Sequence, residues 1–187
     1  MSVTGRDDLP ATLLVGATYG LVVTTDMGAT WGWVCEQAIG YMGTFDPIFV
    51  KGASGVYVAT VFDGLVRSVD GGCTWDPVPG TEGAEVRGLI EHPTVPGTYY
   101  ATTGGTASMI FAVLISTDDA ASFTAVVPSA LPQWYDGVAA SPADPLRLYA
   151  ASWFPMPRQG FIHRSDDGGM SWSSTELTIP DPSSVRL

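Results

Sequence analysis

A short acidic signature, Ser/Thr-x-Asp-x-Gly-x-Ser/Thr-Trp, returns along the chain at nearly constant spacing and limits the fold more than any other feature. The central aspartates of its four copies are Asp26, Asp70, Asp118 and Asp167, separated by 44, 48 and 49 residues. A fixed period of ~40–50 residues marks an architecture of stacked repeats, because one such unit cannot bury its apolar surface alone.

The segments around each copy recur in the same phase. A β-branched or aromatic run comes first ("TLLVGAT", "VYVATV", "TYYATT", "LYAAS"). A glycine-bearing turn leads to a second run that enters the acidic copy, a third follows the aromatic residue, and a fourth leads into the next unit. Four short runs per period, punctuated by 22 Gly and 14 Pro and without helical periodicity, predict an all-β chain. Four-stranded antiparallel sheets that stack radially form a β-propeller. The expectation is a single domain over 1–187 with about four blades, at 11–40, 41–84, 85–132 and 133–182. Residues 183–187 either begin another blade or close the ring, so the chain is a small closed ring or part of a larger one.

The signature itself suits a tight hairpin loop. An aspartate can accept several backbone N–H groups of the turn, glycine takes φ > 0 without a Cβ penalty, and the Trp inserts between sheets. The full copies are Thr24-Asp26-Gly28-Thr30-Trp31, Ser68-Asp70-Gly72-Thr74-Trp75 and Ser165-Asp167-Gly169-Ser171-Trp172. This pattern resembles the Asp-box, or BNR repeat, of sialidase-like β-propellers, a group that includes xyloglucanases, photosystem II assembly factors and sorting-receptor ectodomains. In the third copy Ser116, Asp118 and Ser122 match, but Ala120 replaces Gly and Phe123 replaces Trp, which predicts a degenerate loop that keeps its aromatic plug. The resemblance implies a loop joining the third and fourth strands of each blade, away from any ligand site. Its carboxylates are then architectural.

Charge narrows the partners. Eight basic against 19 acidic residues give a net charge of −11, which disfavours a phosphate backbone. No apolar run approaches the ~20 residues of a membrane span, and the N-terminus lacks the apolar stretch of a signal peptide. Cys35 and Cys73 fit no metal-ligand spacing; they are a candidate disulfide pair or two free thiols. With the habit of the resembling family, the cysteine pair suggests an extracellular or periplasmic protein.

No nucleophile elbow, phosphate loop or metal motif is present, and no cofactor is expected. The scattered arginines do not form a sialidase-type cluster. Strand alignment places Asp46, Arg87 and Asp136 at equivalent innermost positions, and Asp46 with Asp136 is the one candidate pair of carboxylates for glycoside hydrolysis. His92 and His163 lack an acid or thiol partner in sequence. Trp134, Tyr135, Trp153 and Phe154, with Arg87, form the candidate binding rim. The expected function is a non-enzymatic binding or scaffold propeller that presents this aromatic, acidic rim to a glycan or protein. A glycoside hydrolase fragment is the alternative.

Overall fold

A computed structural model describes residues 12–42, 45–128, 132–156 and 158–178 in full and residues 2–5 as a backbone strand. It is built from four four-stranded antiparallel sheets, each a meander in sequence order. The first holds β1 (Ser2–Gly5), β2 (Leu13–Ala17), β3 (Gly20–Thr24) and β4 (Gly32–Cys35). The second holds β5 (Phe49–Lys51), β6 (Tyr57–Thr60), β7 (Leu65–Ser68) and β8 (Asp76–Pro77). The third holds β9 (Val86–Glu91), β10 (Tyr99–Thr103), β11 (Val113–Ser116) and β12 (Thr124–Val126). The fourth holds β13 (Trp134–Ala140), β14 (Leu148–Pro155), β15 (Arg158–Ser165) and β16 (Ser173–Leu177). One helical turn, α1 (Glu36–Ile39), links the first two sheets.

The sheets pack in sequence order through their first strands: β1 and β2 meet β5, β5 meets β9, and β9 meets β13. The described residues thus form four blades of a β-propeller. The first blade starts at Ser2 rather than at residue 11, because β1 pairs with β2 from Ser2↔Gly16 to Gly5↔Leu13. Residues 183–187 lie outside the described residues.

Apolar clusters fill the spaces between blades. Leu14, Leu21, Tyr41, Phe49 and Tyr57 join the first two blades, and Val50, Leu65, Val78, Leu89, Tyr99 and Leu114 join the second and third. Tyr100, Val138 and Leu148, with Val113, Tyr135 and Ala150, join the third and fourth. At ~25 cal/mol per Å² of apolar surface buried, these seams are the main source of stability.

Each acidic loop repeats one hydrogen-bond pattern. In the second, the amide and hydroxyl of Thr74 donate to Asp70 Oδ1 and Oδ2 at 2.9 and 2.7 Å. Ser68 Oγ donates to Asp70 Oδ1 at 2.9 Å and accepts the Gly72 amide at 2.8 Å, while the Trp75 indole donates to the Gly72 carbonyl. The third loop keeps this geometry and is not degenerate. Ala120 adopts φ 58° as a left-handed alanine, and its amide still reaches Ser116 Oγ at 3.1 Å. Phe123 in place of Trp removes only the indole N–H bond.

Candidate functional site

The site is built from two strand irregularities. Along β9 and β10, Thr102 pairs with Gly88 and Thr103 with Val86, so Arg87 is an extra, bulged residue. Along β13 and β14, Tyr135 pairs with Ser152 and Gly137 with Ala151, so Asp136 is bulged in the same way. Bulges re-aim side chains, and here the two face one another: Arg87 Nε donates to Asp136 Oδ1 in a close ion pair. Arg87 Nη1 also donates to Glu85 Oε1 at 2.9 Å. The Asp136 side chain is 2% exposed, against 26% for Arg87 and 34% for Glu85.

Counting from the β6 residue paired with Ser68, the equivalent position in the second blade is Pro47, not Asp46, since Thr60 faces Ile48 as Thr102 faces Gly88. Asp46 is exposed and lies ahead of β5. The structure therefore brings Asp136 together with Arg87 and Glu85, and not with Asp46.

A loop fastens Glu85 in place. The Gly104 amide donates to the Glu85 carbonyl at 3.1 Å, the Ala107 amide to Glu85 Oε2 at 3.3 Å, and the Glu85 amide to Ser108 Oγ at 3.2 Å. A Cβ on Gly104 would stand 2.8 Å from the Trp134 Cα, so this loop runs directly beside the aromatic rim.

Trp134 and Trp153 are cross-strand neighbours, with ring centroids 4.7 Å apart at 73°. Both are half-buried, and the Trp153 indole N–H has no hydrogen-bond partner among the described residues. Phe154 is half-buried on the next β14 position. Tyr135, expected at the rim, is instead fully buried against Val113 and Ala150. The bulge begins just after it, so its side chain still follows the core-facing alternation.

A buried polar chain crosses the fourth blade beneath the rim. Ser152 Oγ donates to Gln133 Oε1 at 2.6 Å and lies 2.6 Å from His163 Nε2, and His163 Nδ1 lies 2.7 Å from Ser174 Oγ. With the single Ser152 proton given to Gln133, His163 donates from Nε2 and accepts the Ser174 hydroxyl at Nδ1. Burial lowers the imidazole pKa to about 4, so the ring is neutral. Gln133 and Ser152 directly precede Trp134 and Trp153 in sequence, and the chain therefore anchors both tryptophans.

The loop aspartates and His92 are engaged in hydrogen bonds away from the rim. Bonds from the side chain and then the backbone of Thr30 hold Asp26 at about 2; Thr74 does so for Asp70 and Ser171 for Asp167. For Asp118 burial acts in the opposite direction, but bonds from Ser122 and Ser116 outweigh it and the value is again about 2. His92 accepts the amides of Thr94 and Val95 at Nδ1 and donates from Nε2 to the Pro145 carbonyl, tying the third blade to the fourth. Cys35 and Cys73 are free thiols, so they form no disulfide. Among the described residues no cluster of His, Cys, Asp or Glu is suited to a metal ion, and no helix is long and apolar enough to cross a membrane.

Glu85, Gln133 and Ser152 escaped the sequence reading. Glu85 carried one usable signal: it precedes Arg87 by two residues and so shares its face of an extended strand. Gln133 and Ser152 carried none, because their partners come from other strands.

No family model and no curated protein matches the chain. Solved structures do. A GH74 enzyme from Niastella koreensis superposes with TM-score 0.74 at 17% identity, over 95% of this chain and 29% of that one. YCF48 from Cyanidioschyzon merolae gives 0.63 at 18%, over 94% of this chain and 56% of that one. The extracellular domain of a hybrid two component system from B. thetaiotaomicron gives 0.60 at 12%, over 88% and 21%. The chain spans less than a third of the length of the GH74 enzyme. At these identities the likeness is one of fold.

Proposed function

We propose that this chain is an Asp-box propeller that binds a glycan without hydrolysing it, at the rim formed by Trp134, Trp153, Arg87 and Glu85, with the buried Asp136 holding Arg87 in place from behind. The observation that carries the reading is the bulge-to-bulge ion pair beside the tryptophan pair. The open part of the half-buried indole pair offers an apolar platform to a sugar ring, and the partly exposed Arg87 guanidinium and Glu85 carboxylate can donate to and accept from its hydroxyls. Hydrolysis would need two carboxyl groups free to act on either side of a glycosidic bond. Asp136 is held by Arg87 instead, which favours binding. The −11 charge and the enclosure of Arg87 between two carboxylates favour a neutral glycan over an acidic one. An extracellular or periplasmic location fits this role, and an extracellular domain is among the proteins of similar fold.

Titration calorimetry with cellohexaose and xyloglucan oligosaccharides tests the proposal. The expected result is binding that weakens at least ~10-fold in Trp134→Ala and Trp153→Ala, as loss of an aromatic anchor does. Products released from those oligosaccharides, and lost in Asp136→Ala, would establish a hydrolase instead. Absence of binding across a neutral-glycan array would refute the glycan assignment.

A further inference from the structure

Large apolar side chains collect at one end of the second and third blades, opposite their acidic loops. In the second blade Thr60 pairs with Leu65 at this end, whereas Tyr57 pairs with Ser68 at the acidic-loop end. Phe62, at the tip of the β6–β7 turn, is 61% exposed, and Met109, in the β10–β11 loop, is 79% exposed. Both blades are flanked on either side by another blade, so this exposure is not that of an outer flank.

Scattered apolar side chains on a surface are ordinary, but a contiguous strip rimmed by polar groups marks an interaction site. Contacts make this strip contiguous. Phe45 backs Phe62, with ring centroids 4.5 Å apart at 47°. The next residue, Asp63, accepts the Gly83 amide at 2.5 Å, and the Gly83 carbonyl accepts the Met109 amide at 2.8 Å. A Cβ on Gly83 would stand 2.4 Å from Met109 Cε, so the methionine lies on the linker that joins the two blades.

Charge on this surface is one-sided. Asp63 and Glu82 are exposed and each accepts a backbone amide, and among the described residues neither meets a cationic side chain. The two blades hold three cations. Lys51 and Arg67 stand at the acidic-loop end, and Arg87 is held by Asp136 and Glu85.

We propose that this face docks a basic peptide segment of a partner protein, with large apolar side chains of the segment seated on Phe62 and Met109 and its lysines or arginines reaching Asp63 and Glu82. Phe62 supplies a rigid anchor, and the flexible thioether of Met109 adapts to the side chain it meets. The same carboxylates repel an anionic lipid surface or a nucleic acid. A second copy of the chain would bring a further charge of −11 against them. The face lies outside the tryptophan pair, and the proposal does not depend on what the rim there binds.

Fluorescence polarisation with three labelled dodecapeptides tests this: one alternates lysine with leucine, one glutamate with leucine, and one lysine with serine. The lysine–leucine peptide should bind with micromolar affinity that falls as ionic strength rises, and the other two at least ~10-fold more weakly. Phe62→Ser and Met109→Ser alter exposed side chains; each should keep the parent melting temperature and weaken binding at least ~10-fold. Asp63→Asn with Glu82→Gln retains an acceptor for both amides and should lower the affinity together with its salt dependence. The proposal is overturned by lysine–leucine binding no tighter than millimolar, by equal binding of the lysine–serine peptide, or by an affinity indifferent to both Phe62→Ser and Met109→Ser. Self-association or neutral-glycan binding that is lost in Met109→Ser would overturn it too, assigning the face to a second copy or to a sugar.

Discussion

Arg87 and Asp136 are both bulge residues, each one extra in the innermost strand of its blade, and they close an ion pair across the seam between the third and fourth blades. A regular strand would alternate both side chains into ordinary register. The paired insertions turn them toward each other at the edge of the tryptophan pair.

Removing one partner should cost more than removing both. Arg87→Ala leaves the enclosed Asp136 carboxylate unpaired and should destabilise the chain by about 3 kcal/mol in urea unfolding. Arg87→Met combined with Asp136→Leu should recover a large part of that loss. A double variant no better than Arg87→Ala would show that the pair contributes nothing through its charge.

The acidic loops should set the lower limit of the pH range. Asp26, Asp70 and Asp167 titrate near 3.8 when unfolded and at about 2 when folded. Their folded values are depressed, so the stabilisation is complete above 3.8 and lost as pH falls from there towards 2. Thermal melts from pH 6 to pH 2 should fall steeply over that last interval, and Asp70→Ala should lower the melting temperature at pH 6 while flattening the acid limb.

Burial of His163 acts over a higher window. Its pKa drops from 6.5 in the open chain to about 4 when folded, so the unfolded state binds the extra proton between these values. Stability is therefore full above pH 6.5 and declines as pH falls towards 4, by roughly 3 kcal/mol in total. His92, also lowered by burial, adds to the decline. Urea unfolding at pH 7 and pH 4.5 should show this slope, and His163→Gln should remove its larger part.

Two loop glycines separate backbone strain from crowding. Gly71 has φ 78° with nothing within 4 Å of a would-be Cβ, whereas Gly169 has φ 95° and would press on Ile115. Gly71→Ala should cost about 1 kcal/mol, and Gly169→Ala about 1 kcal/mol more as Ile115 shifts. Equal losses in the two variants would mean that Ile115 yields freely.

Much of the fold was legible because its signal is local and repeated. The phase of Asp26, Asp70, Asp118 and Asp167 located each hairpin, and the runs before them located the strands. The first strand was missed because "SVTG" carries no apolar alternation; only its pairing with Leu13–Gly16 reveals it. The site was legible in part. Arg87 and Asp136 stood out by phase, but a one-residue slip put Asp46 where Pro47 belongs, since a bulge adds a residue that no periodicity records. Tyr135 was misplaced because adjacent strand residues face opposite sides, so it points to the core while Trp134 faces the rim, and the Gln133–Ser152–His163–Ser174 chain joins residues far apart in sequence.

Among the described residues every sheet, the first included, is drawn from consecutive strands of one stretch of chain. Modular growth follows from this. A genetic crossover in any linker between sheets inserts or removes a whole blade while each remaining meander keeps its own ladder. The apolar seams give an inserted unit a ready neighbour on either side, so gene duplication can lengthen such an array in single steps without redesigning what is already there.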